Sequence, residues 1–118
     1  MSVNVVCVSG NLTRDPEKRG SKDNPILSFG IAVNERRRNG DEWIEVPNFF
    51  DCAIFGKRAL ALSGILKKGM PVTIQGRLHY SSWEKDGEKR SKVDITVNDV
   101  VLPPKGKKSE DKDETPWD

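Results

Sequence analysis

The stretch NFFDCAIFGK, residues 48–57, places two phenylalanines side by side and then alternates. Read as a β-strand, its successive side chains point to opposite faces. One face carries Phe50, Cys52 and Ile54, all apolar; the other carries Phe49, Asp51, Ala53 and Phe55, two aromatics around a carboxylate. Burial of the first face is the hydrophobic expectation, inside a barrel or in a subunit contact, and it turns Phe49 and Phe55 outward. The fold must therefore bury one side of this strand and leave the other free.

The flanking sequence supplies the other elements. VNVVCVSGNL, residues 3–12, is rich in β-branched residues and apolar on both alternating faces, the pattern of a strand buried on both sides. RDPE, residues 14–17, reads as a turn and residues 18–25 as a polar loop. In ILSFGIAVN, residues 26–34, Leu27, Phe29, Ile31 and Val33 face inward, while Ser28, Gly30, Ala32 and Asn34 face out. That small outward side suits a close approach to the backbone. ERRRNGDE, residues 35–42, holds an Asn39-Gly40 hairpin signal and forms a basic arm. A third strand follows from Trp43 to Phe55, with Pro47 marking a bulge or an edge position.

After the third strand the period changes. KRALALSGILKK, residues 57–68, puts Ala59, Leu62, Ile65 and Leu66 on one helical face, with Gly69 and Pro71 as the stop. Alternation then returns in MPVTIQGRL, with Val72, Ile74, Gly76 and Leu78 inward. WEKDGEKR brings a second basic hairpin around Asp86-Gly87, and KVDITVNDVVL supplies a fifth strand. Three strands, one short helix and two strands make an all-β chain with the order of a five-stranded Greek-key barrel of the OB type, which binds ligands on its second and third strands and its loops. Domain limits are set at residues 1–104 for the barrel and 105–118 for a tail too polar to order itself.

Charge is distributed unevenly. Residues 1–104 hold 16 Lys and Arg against 13 Asp and Glu, whereas residues 110–118 hold five acids and Lys112 alone. A basic body thus carries an acidic end. The chain opens with no signal pattern and holds no apolar run of bilayer length, the reading of a cytoplasmic protein without a membrane partner. Cys7 and Cys52 lie in apolar strands without metal-ligand spacing, and are read as buried thiols in a reducing compartment. Asn11 matches a glycosylation sequon, a chance match in a chain that is not secreted. His79 is the single histidine, and Asp51, Asp94 and Asp99 show no paired-carboxylate or metal spacing. No P-loop or glycine-rich dinucleotide turn is present, which leaves no catalytic constellation, no metal site and no cofactor.

Outward aromatics on a barrel strand suit either packing under a loop or another subunit, or a platform for stacking. Trp43 and Trp83, at the mouths of the two basic hairpins, favour the platform, although Trp83 also fits a hairpin packing role. Flat rings accept nucleobases of any sequence while lysine and arginine follow the phosphates. The candidate nucleic-acid residues are Trp43, Phe49, Phe55 and Trp83 for stacking and Arg36, Arg37, Arg38, Lys57, Arg77, Lys85, Lys89 and Arg90 for phosphates. A module whose aromatic face binds RNA or a protein partner is the alternative.

GNLTRDPE after the first strand, FFDCAIFGK before the helix and LKKGMPVTIQGRLHYSSW after it resemble the bacterial single-stranded DNA-binding protein family, over about residues 3–102. The resemblance implies a homotetramer, with a dimer next in order, that wraps single-stranded DNA in replication, recombination and repair, associated with the nucleoid and without catalysis. It assigns Phe49, Phe55 and Trp83 to base stacking, Lys57 to the phosphate path and Phe50 to a subunit contact. Arg37 stands where the family often has an aromatic, and Trp43 substitutes for that ring or the stacking step is missing. Asp51 and HYSS replace positions that are often basic. The ending DETPWD resembles the family's acidic tip, through which Asp113, Glu114, Pro116 and Trp117 would dock on replication and repair proteins, with Asp118 beyond the ring as a departure.

Overall fold

The computed structural model describes residues 2–103. Its elements in chain order are β1 (Val6–Leu12), β2 (Glu17–Gly20), β3 (Pro25–Asn39), β4 (Glu42–Phe55), the helix α1 (Lys57–Ser63), β5 (Pro71–Lys85) and β6 (Glu88–Val101). Strand neighbours run β1-β5-β6-β4-β3, and β3 returns to β1 through Asn11↔Ala32 and Leu12↔Ile31. Five strands therefore close the expected OB-type barrel, with α1 between its third and fourth strands. The inward positions of the alternating segments build the core: Leu27, Phe29 and Ile31 from β3, Cys52 and Ile54 from β4, Val72 and Ile74 from β5, and Ile95 and Val97 from β6. Leu12, Ala59 and Leu66 close its end.

Two pairs of barrel strands extend into long ribbons. The β3–β4 pairing continues without a register break to Asn39↔Glu42, and the β5–β6 pairing to Lys85↔Glu88, with one irregularity at Gln75/Gly76. What reads in sequence as two basic loops is thus two β-ribbons with two-residue turns. Gly40 turns the first with φ of 67°, and Asp86 and Gly87 turn the second with φ of 54° and 80°, the left-handed geometry that matches strand twist. The barrel closes through a parallel β4–β6 pairing, Cys52↔Ile95 and Ala53↔Thr96. Each of these strands is entered from its ribbon's tip, which directs both ribbons from the same end of the barrel. A radius of gyration of 17.1 Å, against about 13 Å for a compact chain of this length, reflects these projections. Pro47 pairs with Asn34 at a point where β4 has no second neighbour, an edge position without a bulge.

Several expectations are corrected. Glu17–Gly20 is a strand on the outer edge of β3, not part of a polar loop, held by backbone pairing because all four of its residues are exposed. The first strand begins at Val6. Ahead of it, the Asn4 amide donates to the Leu78 carbonyl at 2.9 Å and accepts from the Leu78 N–H at 2.8 Å, leaving Val3 and Val5 exposed. Cys7 is exposed, since β1 buries only its alternate side chains, while Cys52 is buried as expected. The helix stops at Ser63, short of Ile65, which is exposed, though Leu66 still reaches the core. Leu78 and Phe50 occupy the inward face but lie where the barrel opens into the ribbons, and both are exposed in this single chain.

Candidate nucleic-acid interface

The pleat of β3 and β4 sorts the candidates. On the outward face, Ile26 is opposite Phe55, Ser28 opposite Ala53, Gly30 opposite Asp51, Ala32 opposite Phe49, Arg36 opposite Glu45 and Arg38 opposite Trp43. Phe49 and Phe55 remain 69% and 54% exposed, too open for core packing. They stand six positions apart, about 20 Å along an extended strand. Between them lies Gly30, and its neighbours show why that position is small: a Cβ there would stand 2.6 Å from the Arg14 guanidinium and 2.7 Å from the Thr13 hydroxyl. What approaches this backbone closely is the chain's own turn after β1.

Arg14 and Asp51 resolve the difficulty of a carboxylate between two stacking rings. Lys92, from the outward face of β6, reaches Asp51 at 2.8 Å, and Arg14 lies 3.9 Å from the same carboxylate. Two cations surround one anion, and the position stays locally positive. The Lys92 bridge also spans from β6 to β4, joining the outward faces of the two ribbons into one surface.

Beside it, β5 and β6 present Arg77 with Thr96, His79 with Asp94, Ser81 with Lys92, Trp83 with Arg90 and Lys85 with Glu88 as outward pairs. Phe55, Arg58, Arg77, His79, Asp94 and Asp99 line an open groove of about 770 Å³ on this face. Arg58 bonds Asp99 at 3.2 Å across the groove. Trp83 is 44% exposed near the second ribbon's tip. At the first tip, the Arg36 and Arg38 guanidinium groups lie 5.0 and 5.6 Å from the Trp43 ring centroid, cation–π geometry that orders both arginines on the indole.

Of the sequence-selected residues, Arg36, Arg38, Trp43, Phe49, Phe55, Arg77, Trp83, Lys85 and Arg90 share the outward faces, and Lys57 opens α1 directly beyond Phe55. Arg37 and Lys89 do not. Arg37 is opposite Ile44 on the reverse face and pairs with Glu35 at 3.6 Å; Lys89 is opposite Glu84 on the reverse face of its ribbon. Strand alternation divides the RRR run two to one. The candidate surface also contains Arg14, Arg58, His79 and Lys92, which are absent from the sequence-based candidates. Counting by twos from Arg90 reaches Lys92, but nothing local in the sequence announces Arg14, whose partners lie far along the chain. The expected docking residues Asp113, Glu114, Pro116 and Trp117 lie outside the described residues.

Cys52 sits directly beneath this surface. Burial pushes its thiol up to about 12, with the charges of Asp51 and Asp94 adding to the rise and Arg14 opposing it. It is an inert core thiol at neutral pH. Among the described residues no group of three or more His, Cys, Asp or Glu side chains converges as a metal site would require, and no helix is long and apolar enough to cross a membrane.

Comparison with known proteins agrees with the barrel. The family model described as "Single-strand binding protein family" matches residues 3–103. A single-stranded DNA-binding protein of Borreliella burgdorferi is 45% identical over 103 residues, covering 85% of this chain and 69% of that protein. A single-stranded DNA-binding protein of Treponema pallidum is 43% identical over 101 residues, covering 85% of this chain and 57% of that one. The crystal structure of a small single-stranded DNA-binding protein from Streptomyces coelicolor superposes with a TM-score of 0.71 at 29% identity, covering 87% of this chain and 96% of the other. A family match along the whole described barrel, joined to relatives of this similarity, establishes that the chain belongs to the single-strand binding protein family.

Proposed function

We propose that this chain binds single-stranded DNA without sequence preference and acts by binding, not by catalysis. The observation that carries the reading is the row of exposed rings, Phe49, Phe55 and Trp83, on one outward surface interleaved with Arg14, Arg77, Arg90 and Lys92. Bases stack on the rings, and the cations, with Lys57, Lys85, Arg36 and Arg38, follow the phosphates. Stacking of this kind is worth about 1–3 kcal/mol per base by alanine substitution and tolerates any base, because every base has a π-face. Trp43 serves first as the anchor of Arg36 and Arg38, while Arg37 and Lys89 act only where a strand wraps over an edge.

The assembly proposed is a homotetramer, with a dimer second. Its support is the apolar inward face that continues past the barrel mouth, where Ile44 and Phe50 on one ribbon and Leu78, Tyr80 and Val93 on the other stay exposed in a single chain. Exposed apolar clusters of this kind mark association surfaces. Replication, recombination and repair are the proposed settings, at the nucleoid, with residues 105–118 as the separate segment that meets partner proteins. Fluorescence titration with oligo-dT, the matching RNA and a duplex tests the binding. Oligo-dT should bind tightest, with affinity falling steeply as salt rises. Salt-independent binding, or preference for duplex, would overturn the reading.

A further inference from the structure

The groove beside Phe55 is electrically balanced. Its permanent charges are Arg58 and Arg77 against Asp94 and Asp99. The remaining ionisable group is His79, whose Nδ1 lies 3.3 Å from the Asp94 Oδ1, with side chains 59% and 28% exposed. Asp94 as acceptor holds the proton on Nδ1, and the other ring nitrogen, Nε2, then carries a lone pair. In that form the imidazole offers a phosphate oxygen no donor. A second proton converts Nε2 into a charged donor and takes the groove from zero to +1, with Asp94 already placed to hold the cation.

We propose that His79 is a proton-dependent phosphate ligand, so that this surface grips a single strand more tightly as pH falls from 7.5 to 5.5. The inference rests on the strand-binding reading. The charged groups facing His79 are Asp94 on β6, Arg77 on its own strand, and Arg58 with Asp99 across the groove; Lys92 and Asp51 form the next pair along β6 and β4. Imidazole, unlike a carboxylate, ammonium or guanidinium, is in general the side chain whose charge changes between pH 5 and 8. His79 is also the only histidine in the chain.

The test is oligo-dT binding by the full chain at pH 5.5, 6.5 and 7.5 and fixed ionic strength, thymine having no group that titrates in this range. One added charge-assisted bond at a half-open site should tighten binding about three- to tenfold at pH 5.5. It should also steepen the logarithmic salt slope by about 0.7, the single-strand value for one phosphate contact. His79→Gln should remove the dependence and His79→Arg should hold the tighter affinity at every pH, with circular dichroism confirming that both variants fold. Strand binding that is flat with pH in the unaltered chain, or a dependence that survives in His79→Gln, overturns the proposal. Absence of oligo-dT binding at every pH would instead overturn the strand-binding reading beneath it.

Discussion

Replacing Asp51 by Asn should tighten DNA binding. The carboxylate holds Lys92 at 2.8 Å and lies 3.9 Å from Arg14, and all three side chains are 45% to 47% exposed. Exposed ion pairs contribute about 0–1 kcal/mol to folding, which leaves the melting temperature little changed. For binding the sign is opposite to that of a lost contact, because the two cations freed from Asp51 face a strand that carries negative charge. At a separation of about 7 Å and an effective dielectric of about 40–80, removing one negative charge favours a neighbouring phosphate by about 0.6–1.2 kcal/mol. That corresponds to about three- to sevenfold in affinity. The salt slope should steepen by about 0.7, one further phosphate engaged. Fluorescence titration of oligo-dT at several salt concentrations reads both quantities. Weaker binding by a folded Asp51→Asn variant would refute the reasoning, since it would mean that the carboxylate orients Lys92 and Arg14 for the strand instead of competing with it.

Other perturbations separate stacking, charge and core. Phe49→Ala and Phe55→Ala should each weaken oligo-dT binding by about 1–3 kcal/mol with the salt slope unchanged, whereas Phe29→Ala, at a side chain with no exposure, should cost about 3–5 kcal/mol in denaturant unfolding. Arg36→Ala with Arg38→Ala should reduce the magnitude of the slope by about 1.4, and Arg37→Ala, on the reverse face, should leave it almost unaltered. A maleimide at pH 7.5 should label Cys7 alone in the folded chain and Cys52 only after denaturation, as mass spectrometry would show. The folded Cys52 thiol holds its proton more tightly than the unfolded one, and its share of stability is full below about 9.0 and lost as pH climbs toward 12, which denaturant melts at alkaline pH would follow.

Alternation made the barrel legible. In residues 27–33 Leu27, Phe29, Ile31 and Val33 alternate with the small Ser28, Gly30 and Ala32, and a one-residue slip would have exposed the core face. The same counting placed Phe49 and Phe55 outward before any contact was known. It fails where burial is not what holds the chain. Glu17–Gly20 pairs through its backbone alone, and three exposed charged residues with a glycine leave no hydrophobic signature. Leu78 obeys the pleat yet lies where the inward face leaves the barrel, a boundary set by how far β4 and β6 stay together and not by Leu78 itself. The cations were the least legible part of the site. Arg37 and Arg38 are adjacent in sequence and opposite in space, and Arg14 enters through a turn whose partner Asp51 lies on another strand.

Photo-crosslinking with an oligonucleotide carrying iodo-deoxyuridine, followed by peptide mapping of the full chain, tests the outward face most directly. Adducts should concentrate on Phe49 and Phe55 of β4 and Trp83 of β5, the exposed outward rings assigned to stacking. Adducts confined to Phe50 and Tyr80, on the inward side of the ribbons, would contradict the account and place the strand on the face assigned here to subunit contact.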